Sequence, residues 1–209
     1  MSKVSWWKIK NQSLANAVRN VGFDLAVYDE YTPQTQKEIR KQAITEALRL
    51  LRDEFSATAK KDIKQITCGV YVICLSDPFT IKYGKKNSKI IYIGRGNVFA
   101  RLKSHYETSL FNFMQSLSGT NFDFYISEPK KRGGGKANDY YKHIEHRLLE
   151  KFSENIGGGE KEFPLFNINA GANKNLDEGK GWDKPLSSAG EKPQWILEKT
   201  RFWNFEKLG

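Results

Sequence analysis

Residues 66–75, ITCGVYVICL, form an unbroken apolar run rich in β-branched side chains. A run this short and this continuous reads as a strand covered on both faces. It can exist only inside a chain with enough apolar material to cover it. The 209 residues supply that, with 39% hydrophobic and 13% aromatic side chains, enough for one domain with trimmings and against an intrinsically disordered chain. A second run, KIIYIG at 89–94, reads as a companion strand, and NFDFYISEP at 121–129 alternates Phe122, Phe124 and Ile126 as a third. The stretch DPFTIKYGKKNSK between the first two is rich in turn residues.

Residues 1–65 read as helical. Leu14, Ala17, Val18 and Val21 keep helical spacing, and Gly22 is placed to stop that helix. Thr32-Pro33 has the form of a helix start, and the stripe Ile39, Ala43, Ile44, Ala47, Leu48, Leu51 and Phe55 follows it. Further helices are predicted over about 97–117 and 137–152, the latter bracketed by the glycine runs at 133–135 and 157–159. Beyond Ala170 the chain turns polar. It closes on Trp195, Ile196, Leu197, Phe202, Trp203 and Phe205, a segment expected to pack on the core. The fold class is therefore α+β, with an N-terminal helical extension (1–65), a central domain (66–170) and a C-terminal extension (171–209).

Lys+Arg number 34 against 24 Asp+Glu, a net charge of +10 that suggests an anionic partner. No apolar run approaches the roughly 18 residues of a membrane span, and the opening MSKVSWWKIKNQS lacks the apolar stretch of a signal peptide. Cys68 and Cys74 would share one strand face about 20 Å apart, too far for a disulfide, so both are expected as buried thiols in a reducing, cytoplasmic setting. The charge is concentrated: Lys82 to Tyr106 holds seven basic residues and no acidic one, interleaved with Tyr83, Tyr92, Phe99 and Tyr106. A second cluster, Lys130, Lys131, Arg132 and Lys136, is strung on glycines. Phosphate contact is the expected role of both, a solvated face the alternative. The basic residues Arg40, Lys41, Arg49 and Arg52 on or near the polar face of the second helix read as a solvated face, with DNA contact the alternative.

On a helical wheel for 137–152, Glu145 falls inside the arc of Tyr141, Ile144, Leu148, Leu149 and Phe152. A carboxylate there faces burial and needs a cation, either an arginine or a metal. His143 and His146 fall on the other side, and no cysteine or histidine spacing fits zinc. On the preceding helix Arg101 and His105 stand one turn apart at the edge of the stripe made by Val98, Leu102 and Tyr106. A salt-bridge site and an anion-binding arginine beside a proton-accepting histidine both fit that placement.

Gly69-Val70-Tyr71 on one strand, Tyr92-Ile93-Gly94 on the next, Arg101 and His105 on the following helix, Glu145 in IEHRLLEKF and Asn167 in PLFN together resemble the GIY-YIG nuclease family. The likeness covers about half the chain, 67–170. It departs in reading GVY, in a longer basic insertion between Tyr71 and Tyr92, and in a stretched span from Glu145 to Asn167. The resemblance implies a three-stranded antiparallel sheet flanked by helices. It also implies metal-dependent hydrolysis of DNA phosphodiesters, with one Mg²⁺ (or Mn²⁺) per site, leaving 5′-phosphate and 3′-hydroxyl ends. Tyr71 would be the general base with His105 taking its proton, and Arg101 and Tyr92 would meet the phosphate. Glu145 would hold the metal, and Asn167 would complete the catalytic set. Lys85, Lys86, Lys89, Arg95, Lys103, Lys130, Lys131 and Arg132 would contact DNA. A restriction-like enzyme, possible as a homodimer, is the leading expectation; a homing or repair nuclease, or a non-catalytic nucleic-acid-binding module on the same scaffold, is the alternative.

Overall fold

A computed structural model describes residues 4–117, 119–130, 137–157, 162–168, 179–187 and 195–198. The chain is mixed α+β, built on a four-stranded antiparallel sheet. The strands are β1 (Trp7–Gln12), β2 (Gly69–Leu75), β5 (Ile90–Gly96) and β6 (Phe122–Ser127), in the order β1-β6-β2-β5. Of the apolar run 66–75, Gly69–Leu75 forms β2 and every residue of it is buried between β5 and β6, whereas Thr67 is exposed and Cys68 only half-buried, which corrects the expectation of a buried thiol at Cys68. The first strand corrects the all-helical reading of residues 1–65. In β1 only Ile9 and Gln12 are buried, and an irregularity between them, with Asn11 at φ 53, erases the simple alternation of a strand.

The rest of the N-terminal region is helical. Helix α1 (Leu14–Asn20) starts on Ser13, whose hydroxyl accepts from the Asn16 amide. Helix α2 (Pro33–Ala59) starts on Thr32 with proline in its first turn, and all seven stripe residues are buried. It packs on α1 and β1, with Trp7 meeting Phe55 edge-on at 5.5 Å. Its basic residues are turned to neighbouring carboxylates and amides: Arg49 pairs with Glu46 and Asp53, Arg52 with Asp62, and Arg40 reaches Asn112.

The insertion between β2 and β5 is more than turns. It contains β3 (Phe79–Lys82) and β4 (Asn87–Ser88), and β3 also pairs in parallel with β7 (Trp195–Glu198) from the far end of the chain. Leu197 packs toward the core as expected of this segment, whereas Trp195 and Ile196 are 61% and 51% exposed. Phe202, Trp203 and Phe205 lie outside the described residues.

Asn97 caps α3 (Val98–His105), which continues through a π-helical turn at Tyr106–Leu110 into α4 (Phe111–Ser116). Helix α5 (Ala137–Asn155) packs on β5 and β2. Among the described residues no helix is long and apolar enough to cross a membrane.

Candidate active site

The site begins with two glycines. Gly69 and Gly94 sit on the same face of paired strands, opposite Gly96 and Tyr71 respectively. A Cβ on Gly69 would come within 2.4 Å of Val98 Cγ2, so this glycine lets α3 settle directly on the sheet. A Cβ on Gly94 would lie 2.4 Å from Tyr92 Cε1 and 2.7 Å from both Cζ and the hydroxyl of Tyr71. The missing side chain at 94 is the space the two tyrosines occupy.

Into that space converge Tyr71, Tyr92 and His105. The tyrosine rings stack with centroids 5.8 Å apart, and the His105 ring lies 4.1 Å from that of Tyr92. The Tyr71 hydroxyl and His105 Nε2 are 3.0 Å apart, a hydrogen bond. Tyr71 is wholly buried and Tyr92 half-buried. Burial raises the phenol pKa of both; the carboxylate of Glu145 adds to this, and the Arg101 guanidinium opposes it. Burial also pushes the His105 imidazole down, to about 4, with the Arg101 charge acting in the same direction. At neutral pH the pair is therefore a neutral phenol hydrogen-bonded to a neutral imidazole, and the tautomer protonated on Nδ1 leaves Nε2 to accept a proton.

Arg101 stands one turn before His105 and is exposed. Glu145 comes from α5, where the wheel puts it among apolar residues, and it is 8% exposed. Burial raises its pKa, while Arg95, His146 and Arg101 pull it back. Of the two partners left open by the wheel, the arginine is present: Arg95 Nε lies 3.2 Å from Glu145 Oε2. His143, on the side of the helix away from Glu145, is nonetheless buried. Helix α5 is covered on more than its sheet side, since Trp182 lies under the cations of Arg147 and Lys151.

Asn167 reaches the same strand differently. Its Oδ1 accepts from the Ile93 amide at 2.9 Å and its Nδ2 donates to the Ile93 carbonyl at 2.8 Å, while the Phe166 amide donates to the Ile91 carbonyl. The side-chain amide thus imitates a neighbouring strand on the free edge of β5. Each of its polar atoms makes one bond to the Ile93 backbone, so Asn167 braces the strand carrying Tyr92 and Gly94.

The basic stretch is free of acid in sequence but not in space. Lys89 is buried with its ammonium on Asp77, which corrects its assignment to DNA contact. Lys85 donates to the Glu154 carbonyl at 2.6 Å, and the Lys85 and Lys86 amides both donate to the Ile156 carbonyl, so this loop caps the end of α5. Lys82 pairs with Glu198, Lys103 with Glu107 and Lys130 with Glu128. Lys86 stays exposed on the rim of a polar groove with Lys151 and Lys184. Of the interleaved aromatics, Tyr83 and Tyr106 are core residues and Phe99 lies under Lys64, so only Tyr92 joins the site. Lys131 and Arg132 lie outside the described residues.

Among the described residues no three His, Cys, Asp or Glu side chains gather as a metal cluster. A single buried carboxylate suits a hard cation such as Mg²⁺, which keeps several waters and takes substrate phosphate oxygens as ligands. Glu145 Oε2 is buried without a hydrogen-bond partner among the described residues, consistent with a ligand in waiting. Comparison with known proteins finds no matching family model, no matching curated protein and no matching solved structure.

Proposed function

We propose that the protein is a metal-dependent DNA endonuclease of the GIY-YIG type, restriction-like in its compactness. The observation that carries this reading is the hydrogen bond between the buried Tyr71 hydroxyl and a neutral His105, with the Tyr71 and Tyr92 rings packed into the space left by the missing side chain at Gly94.

In this reading a water attacks the phosphorus and gives its proton to Tyr71 as the Tyr71 proton passes to His105. The bond from phosphorus to the 3′ oxygen breaks, leaving a 5′-phosphate and, once protonated, a 3′-hydroxyl. A phenol near pKa 10 is only about a thousandth ionised at pH 7, and burial raises that pKa further, so concerted transfer to His105 is what makes Tyr71 usable as a base. The half-buried Tyr92 hydrogen-bonds the phosphate. Arg101, exposed one turn before His105, stabilises the charge that builds on the phosphate oxygens. Glu145 would hold Mg²⁺ or Mn²⁺, which when bound supplies Lewis-acid stabilisation of the leaving oxygen. Asn167 keeps β5 in place. Cutting both strands of a symmetric site would call for a homodimer.

Supercoiled plasmid and mixed genomic DNA incubated with Mg²⁺ test the reading. The wild type should cut, chelator should stop it, and Glu145→Ala and Tyr71→Phe should each lose at least roughly a hundredfold in rate. Discrete fragments would favour a restriction or homing enzyme. DNA binding without cleavage in all three proteins would favour the non-catalytic module.

A further inference from the structure

Arg95 and Glu145 form an incomplete pair. Their closest atoms, Nε and Oε2, are 3.2 Å apart, an ion-pair distance, yet Oε2 has no hydrogen-bond partner among the described residues. The guanidinium is equally underused, because Arg95 Nη1 is buried and also lacks an acceptor. Buried groups normally satisfy each other when their geometry allows it. Here charge is balanced while hydrogen bonding on both sides is left open. The two missing partners are complementary: a carboxylate oxygen wants a cation, and an N–H wants an anionic oxygen.

From this geometry we infer that Arg95 is a resident cation that occupies the carboxylate of Glu145 until a divalent metal ion takes it, whereupon its guanidinium is released to a phosphate oxygen of the substrate. The inference rests on the proposed role of Glu145 as metal ligand and adds a competitor for that ligand. Metal and substrate then arrive as a set. A cation entering alone must displace or neighbour a positive charge, whereas a cation arriving with phosphate leaves the guanidinium an acceptor. The strand makes the exchange local, since Arg95 directly follows Gly94, and the clasp of Asn167 on Ile93 holds the backbone just before it.

The test is Mn²⁺ binding to the whole protein without DNA, followed by loss of the free-ion paramagnetic resonance signal. Arg95→Gln removes the charge and keeps a long polar side chain; it should bind Mn²⁺ at least roughly tenfold more tightly than the wild type, because a unit charge at this range is removed. Arg95→Lys keeps the charge and should stay close to wild type, which guards against a folding defect in the first variant. Glu145→Gln should abolish binding in either background. Equal or weaker Mn²⁺ binding by Arg95→Gln, with Glu145→Gln still abolishing it, overturns the competition and leaves the metal-ligand reading standing. Unchanged binding in Glu145→Gln overturns the ligand reading itself, and this inference with it.

Discussion

At the scale of single residues, the site is organised by a side chain that is missing. Restoring a methyl group with Gly94→Ala would push against Tyr71 and Tyr92 at once. It should cost about 1–3 kcal/mol in urea unfolding and abolish cleavage by separating Tyr71 from His105. His105 gives a pH signature. Its folded-state pKa of about 4 lies below the ordinary 6.5, so the unfolded chain binds the proton first. The stability linked to His105 is complete above pH 6.5 and is lost as pH falls toward 4, a difference of order 3 kcal/mol at most. Urea midpoints collected across that range should show a wild-type decline that His105→Gln lacks. Of these residues, Glu145 was legible in the sequence, because a carboxylate inside an apolar arc announces its own difficulty. The role of Gly94 was not, since its reason is the packing of two rings, Tyr92 on its own strand and Tyr71 on the next.

At the scale of elements, Asn167 is worth a strand pairing. Asn167→Ala removes two hydrogen bonds to Ile93 and should destabilise the protein by about 1–3 kcal/mol. Hydrogen exchange should speed up at the Ile93 amide before it does so at Val72 in the centre of the sheet. The strands β2, β5 and β6 could be read directly: β2 and the start of β5 are unbroken apolar runs, and β6 alternates Phe122, Phe124 and Ile126. Strand β1 could not: a single buried apolar residue, Ile9, followed by an irregularity, carries too little pattern. The insertion hid β3 and β4 for a related reason. They are short, and one of their partners, β7, comes from more than a hundred residues further on.

At the scale of the whole molecule, the basic clusters of the sequence overstate the positive surface offered to a partner. Asp77, Glu107, Glu128 and Glu198 neutralise lysines that the sequence presents as free. Salt titrations of DNA affinity should separate the two kinds of lysine. Lys86→Ala should reduce the slope of log affinity against log salt by about one unit. Lys89→Ala should leave the slope unchanged and instead lower stability, because it removes a buried lysine stem and the ion pair its ammonium makes with the exposed Asp77. The sequence shows how many charges there are; only the folded chain shows which of them are already answered. The loop that caps α5 has a mechanical consequence as well. Lys85 and Lys86 are fastened to the last turn of the helix that carries Glu145, so a ligand gripping the insertion pulls on the same rigid rod that sets the height of the carboxylate. Recognition at the outer rim would then reach the reaction centre as leverage.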